Sequence, residues 1–347
     1  MNPRFGTSRR AMAAWLFACC ALVFGIVVVG GITRLTHSGL SIVEWQPLVG
    51  ALPPMSDAQW QETFAKYQRT PEFKLRNFDM TLEGFKRIFW WEYGHRLLGR
   101  VIGVVFFVPF VWFLARRAIS RPVAWRLAGI FALGGLQGAL GWFMVKSGLV
   151  DDPRVSSVRL AAHLGVAFLI YASMLWLALG LASGMRPAPP PRTRGHAGLL
   201  AVLVFVMVLT GALVAGIRAG FAYNTYPLMD GHWIPPEILL LDPWWLNLVN
   251  NMATVQFNHR VLAIVIALVA ASLAWRVLRD PAARARQKRW AWALVAAVAL
   301  QLAAGISTLL LRVPIPLAAL HQAGAVIVFT CALGLLHALT RTGELQQ

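Results

Sequence analysis

Long apolar stretches separated by polar ones run the length of the chain. Eight can cross a hydrocarbon core of about 30 Å at about 1.5 Å per helical residue. They lie at about 11–33, 92–115, 124–145, 159–182, 197–217, 255–276, 290–311 and 317–339. Backbone groups in lipid must be satisfied within the segment, so the pattern predicts eight transmembrane helices in an all-α integral membrane protein. The longest polar stretch, 34–90, is broken by Pro47, Pro53, Pro54 and Pro71. Its last part, Thr81 to Trp91, reads as helix and leads straight into the second span.

A polyproline stretch, RPAPPPRTRG at Arg186 to Gly195, marks the midpoint as a stiff linker. After it the pattern restarts. QFNHRVLAIVIALV from Gln256 echoes EYGHRLLGRVIGVV from Glu92 without a gap. LQLAAGISTLL from Leu300 echoes LQGALGWFMVK from Leu136, and LAALHQAGAVIV from Leu317 echoes RLAAHLGVAFLI from Arg159. LTGALVAGIRAG from Leu209 echoes VFGIVVVGGITR from Val23, which sets Gly211 against Gly25. Four helices recur in one order. An even number keeps the orientation, so the repeat is parallel, about an axis along the membrane normal. The expected organisation is two four-helix bundles, residues 1–185 and 196–347, joined by 186–195.

Composition agrees with a membrane protein: of 347 residues 58% are hydrophobic and 13% charged. The net charge of +18 would suit a nucleic-acid partner, but its distribution argues against one. Arg4, Arg9 and Arg10, then Arg116, Arg117, Arg121 and Arg126, then Arg186, Arg192 and Arg194 fall on alternate connections. So do Arg276, Arg279, Arg284, Arg286, Lys288 and Arg289, with Arg341 in the tail. Most acidic residues, Asp151 and Asp152 among them, fall on the other connections. This is the positive-inside pattern, and it predicts both termini in the cytoplasm. The N-terminal apolar run continues past signal-peptide length to Ile32, so it reads as the first span. Cys19, Cys20 and Cys331 lie within predicted spans, so no outer disulfide is available.

His95, His163, His259 and His321 stand near the starts of the second, fourth, sixth and eighth spans. In the charge-derived topology all four lie toward the outer face, two per half, at repeat-equivalent positions. That recurrence points to metal ligation. Two His on facing helices make a pair, not the closed tetrahedral cage of structural zinc. Axial ligation of haem is the natural use of opposed histidines in a bundle. Gly94, Gly99, Gly103 and Gly165 leave room for a macrocycle. Arg159, four residues before His163, either pairs a haem propionate or snorkels to the interface. His37, His196, His232 and His337 lack repeat partners of ligand character and read as structural.

GGITRLTHSGLS closing the first span, EYGHRLLGR, the His of the fourth span and the NHR and LHQ words together resemble the haem A synthase family. The likeness covers nearly the whole chain. The long cysteine-free segment 34–90 resembles its mitochondrial and alphaproteobacterial branch. The resemblance implies oxidation of the C8 methyl of haem o to a formyl group, giving haem A for cytochrome oxidase in a bacterial inner membrane. It implies a resident haem b on His259 and His321, with substrate haem o received by His95 and His163. Haem o synthase, an electron donor or acceptor and oxidase assembly factors are the expected partners, besides lipid and a second copy of the chain. An iron with two axial His has no free site for dioxygen. Either one His of the substrate pair is displaced, or electrons leave through the porphyrin and water supplies the oxygen.

The halves differ at one chemically important position. Glu92 precedes His95 by three residues, a spacing that shares a helix face. Its counterpart is Gln256. Oxidising a methyl removes protons, and Glu92 is the candidate acceptor. The competing role is an i,i+4 ion pair with Arg96, worth about 0–1 kcal/mol at a hydrated helix mouth. A di-haem cytochrome b that only transfers electrons is the alternative function. It would need neither Glu92 nor two unequal halves.

Overall fold

The computed structural model describes residues 3–44, 49–148, 156–183, 186–187 and 192–342. Eleven α-helices follow in order. They are α1 (Pro3–Leu35), α2 (Asp57–Gln68), α3 (Pro71–Arg76), α4 (Leu82–Ala115), α5 (Arg121–Gly148) and α6 (Ser157–Ser183), then α7 (Thr193–Gly216), α8 (Asn247–Asn250), α9 (Met252–Arg279), α10 (Ala285–Leu310) and α11 (Ile315–Thr340). Eight of them, α1, α4, α5, α6, α7, α9, α10 and α11, are long and apolar enough to span a membrane. The chain is therefore an all-α multi-pass protein. Its only sheet among the described residues is a two-residue ladder pairing Arg186–Pro187 with Arg341–Thr342. Most of the Pro-rich linker, and the acidic turn with Asp151 and Asp152, lie outside the described residues.

Helix starts follow local chemistry. The Ser56, Thr70, Thr81 and Asn251 side chains accept the orphan N–H groups of α2, α3, α4 and α9. The helix capped by Thr81 runs unbroken into the membrane span, as the polar pattern before Trp91 predicts.

The packing neighbours describe two rings. α1 packs on α4, α4 on α5, α5 on α6 and α6 back on α1. α7 packs on α9, α9 on α10, α10 on α11 and α11 back on α7. The rings meet where α6 touches α7 and α11, and where α1 touches α11. The main apolar core fills this junction, with Leu16, Met174, Leu200, Leu273, Leu294 and Leu335 fully buried. α4, α5 and α10 turn broad apolar faces outward, such as Val104, Trp112, Leu136 and Leu300. Such faces are at home only against lipid.

The ends of α1 and α7 clasp each other. Arg34 donates to the carbonyls of Ala215 and Gly216 in the last turn of α7, where the helix dipole favours a cation. Arg218 just after α7 donates in return to the His37 ring at 2.9 Å. His37 and Arg218 both take left-handed backbone, at φ 55° and 59°.

A smaller aromatic core lies beyond the membrane helices. Trp60, Phe64 and Tyr67 of α2 pack on Phe85 and Phe89 of α4, and Phe73 of α3 stands against Phe64 and Tyr67. It fixes α2 and α3 over the N-terminal ring.

Candidate functional site

His163, His259 and His321 lie near the starts of α6, α9 and α11, and His95 lies further along α4, near the start of its apolar part. Each ring meets a glycine on the neighbouring helix. An added Cβ at Gly30 would stand 3.0 Å from His95, at Gly141 3.2 Å from His163, at Gly211 3.2 Å from His259 and at Gly305 2.7 Å from His321. The missing side chains are what let the imidazoles tuck between helices. Gly141 and Gly305 are equivalent in the sequence echo. Gly211, however, corresponds to Gly30 and not to Gly25, and His37 and Arg218 share this spacing. Gly25 and Gly30 stand as far apart as Gly211 and Gly216, so glycine spacing alone also permits the other register of the first-helix echo. What fixes its register is which glycine faces the histidine.

The C-terminal pair is already spaced as a ligand pair. The His259 and His321 rings are 6.5 Å apart at 72°. Two imidazoles on opposite sides of one metal ion, at about 2 Å per bond, have ring centres roughly 6–7 Å apart. Thr210 donates its hydroxyl hydrogen to the Met207 carbonyl and stands 2.9 Å from His259 Nδ1. It therefore accepts the Nδ1 proton and leaves Nε2 free to ligate, the usual orientation device behind a metal-bound histidine. Gln301 donates elsewhere, to the His321 carbonyl at 2.9 Å, while its Oε1 and His321 Nδ1 have no partner among the described residues. Among the described residues no three His, Cys, Asp or Glu converge on one point, so a pair and not a cage is what the protein offers.

The N-terminal pair is arranged differently. Gln137, the counterpart of Gln301, lies 3.2 Å from His163 Nε2, the nitrogen a metal would need. The position matching Thr210 is Val29, which has nothing to set a tautomer. Arg159 lies over the Phe143 ring at 4.3 Å, so its guanidinium stays at the α5–α6 edge.

Glu92 is buried, at 3% exposure. The expectation of a hydrated helix mouth is thus corrected: residues 38–42, returning after α1, fold over it. Its carboxylate accepts from the Ser41 hydroxyl and the Ile42 N–H, both at 2.7 Å, and from Arg96. Arg96 also donates to the carbonyls of Ile42 and Glu44. Gln256 occupies the same niche under the segment after α7. It donates to the Ala219 carbonyl at 2.7 Å and accepts from Arg260, which itself holds the carbonyls of Tyr223 and Thr225. Each half thus has an arginine one turn after the Glu or Gln that pins the returning loop. Only the first half buries an acceptor-only carboxylate there.

Sequence reasoning missed Thr210, Gln137, Gln301 and Ser41. The two glutamines stood in plain view, four residues before Gly141 and Gly305 in the echoed LQ words. Ser41 gave no such sign, because its role depends on a loop folding back onto a helix fifty residues on. The three cysteines are free and buried, as their place in apolar runs implied.

Residues 13–333 match the family model described as "Cytochrome oxidase assembly protein". A Nitrosospira multiformis protein named "Heme A synthase" is 55% identical, covering 96% of this chain and 94% of its own length. A protein of the same name from Rhodospirillum centenum is 52% identical, covering 98% and 92%. Another from Nitrosomonas eutropha is 48% identical, covering 96% and 95%.

Proposed function

Because this chain belongs to the cytochrome oxidase assembly protein family, we propose that it carries out the reaction for which its relatives are named, the synthesis of haem A. It is an oxidoreductase that takes haem o as substrate and converts a ring methyl to a formyl group. The observation that carries the reading is the near-full-length identity to these relatives, together with two histidine pairs at one end of a membrane bundle.

The division of labour is inferred from the asymmetry of the pairs. His259 and His321, preset in spacing and with His259 held by Thr210, suit a haem b that stays bound. Bound there, haem b would supply one-electron redox chemistry. His95 and His163 suit a transient guest, since Gln137 holds His163 until a ligand displaces it. Glu92 sits on the α4 turn before His95 and accepts a proton as the methyl is oxidised. Arg96 keeps Glu92 aimed. Arg159 is the proposed partner for a carboxylate of the guest. The repeat halves are 1–185 and 196–347. Both termini lie in the cytoplasm, and the histidine end faces outward, by the placement of basic residues.

Co-expression with a haem o producer tests the function. Extracted membranes should contain haem A. Haem b alone would mark an electron carrier and reject the proposal.

A further inference from the structure

Glu72 stands on α3. It belongs to the outer module, not to a membrane span, yet it is only 3% exposed. Among the described residues its Oε2 has no hydrogen-bond partner. Tyr67 hydrogen-bonds the carboxyl, yet one of its oxygens loses hydration without replacing it, a cost a surface helix has no structural reason to accept.

Its surroundings come from every element packed about it. Tyr67 of α2 and Arg76 of α3 flank it. The charges of Arg34 at the end of α1, Glu92 of α4 and Arg218 after α7 all act on it. Arg34 also has an orphan, its buried Nε. Among the described residues a buried acceptor on α3 and a buried donor at the end of α1 thus both lack partners. Glu92 borders the same cluster.

We propose that Glu72 is a proton-relay residue that acts through Glu92, passing protons released at the N-terminal histidine pair to the aqueous phase beyond α3. This rests on the function proposed above. A proton taken up by the Glu92 carboxylate moves to the Glu72 carboxylate, which restores the Glu92 anion. Glu72 then gives the proton to water, and no electrons move in this step. Burial and the negative charge of Glu92 push the Glu72 carboxyl up to about 7, against the pull of Arg76 and Arg34. Such a group both takes and gives a proton near neutrality. The coupling has the useful sign. When Glu92 becomes neutral it no longer raises the proton affinity of Glu72, so arrival at one favours release from the other.

The test uses the full chain with its bound haem, as wild type, Glu72→Gln and Glu72→Asp. Haem o conversion is followed against pH in membranes, with haem b content as the folding control. The wild type should slow as pH falls through about 7, because protonated Glu72 accepts nothing. Glu72→Gln should keep haem b, lose that inflection and convert roughly tenfold or more slowly, while Glu72→Asp keeps an inflection. An independent readout is infrared titration of the wild type, which should show a protonated-carboxyl band that vanishes around pH 7 and is absent from Glu72→Gln. A Gln variant with wild-type rate and pH profile overturns the relay. If the Gln variant does not fold, a wild type with no such band overturns it, and a titrating band supports it. A wild type that makes no haem A overturns the proposed function, and the relay with it.

Discussion

The two four-helix rings have the same parts and use them differently. In both, a histidine at the start of the second helix faces a glycine of the first, and an arginine one residue on pins the returning loop. In the C-terminal ring Thr210 fixes His259, the Gln301 amide donates to backbone and leaves the His321 ring nitrogens alone, and Gln256 gives and receives one hydrogen bond. In the N-terminal ring, Gln137 stands at the ligating nitrogen of His163 and a carboxylate replaces the amide. A preset pair holds a permanent guest with little reorganisation. A pair that must rearrange suits a guest that comes and goes.

The sharpest way to break this comparison is to remove the histidines one at a time. His259→Ala or His321→Ala should abolish most haem b binding, read as haem content per purified protein. His95→Ala or His163→Ala should leave most haem b in place and stop haem A formation. Equal haem b loss from all four would erase the distinction between the rings.

A smaller change should have nearly the same effect at one position. Gly305→Val would drive a branched side chain into the His321 ring, which an added Cβ alone would approach to 2.7 Å. Haem b content should fall severely. Gly25→Val, which faces only Leu98 at 4.0 Å, should not change it. A Gly305 variant with full haem b would show that the ring does not depend on this close approach.

Thr210→Val removes the Nδ1 partner of His259 and copies what α1 has at Val29. Loss of such support typically lowers affinity about 10–100-fold. Haem b should therefore be retained on gentle purification but lost on dilution or competition with apomyoglobin. Unchanged retention would mean that spacing alone holds the group.

Much of this was legible in the sequence. Length and hydropathy gave the eight spans, and the repeated words paired the histidines. Boundaries were less so: α9 runs beyond its apolar window, because a helix does not stop where lipid does, whereas the early start of α4 was legible in Thr81 to Trp91. α2 and α3 were not foreseen inside 34–90, although Ser56 and Thr70 are serviceable caps. The burial of Glu92 was invisible, since Ser41 and Ile42 reach it only through the fold of a distant loop. The first-helix register failed for a related reason: glycine recurs too often in α1 for spacing to identify the one that meets a ring.

The claim that the halves divide the work rests most directly on Glu92. Removing one partner of a buried ion pair can cost about 3–5 kcal/mol, so the comparison needs a variant that keeps shape. Glu92→Gln does so, although its amide would meet Arg96. Arg96→Gln breaks the same pair while leaving the carboxylate. Both are produced alongside a haem o source, and their haems are extracted and separated. If Glu92 handles protons, its variant keeps haem b and accumulates haem o or a partly oxidised alcohol, while Arg96→Gln still makes some haem A. Near-normal haem A in Glu92→Gln would contradict the account and leave the carboxylate as a fastener for the loop at Ser41.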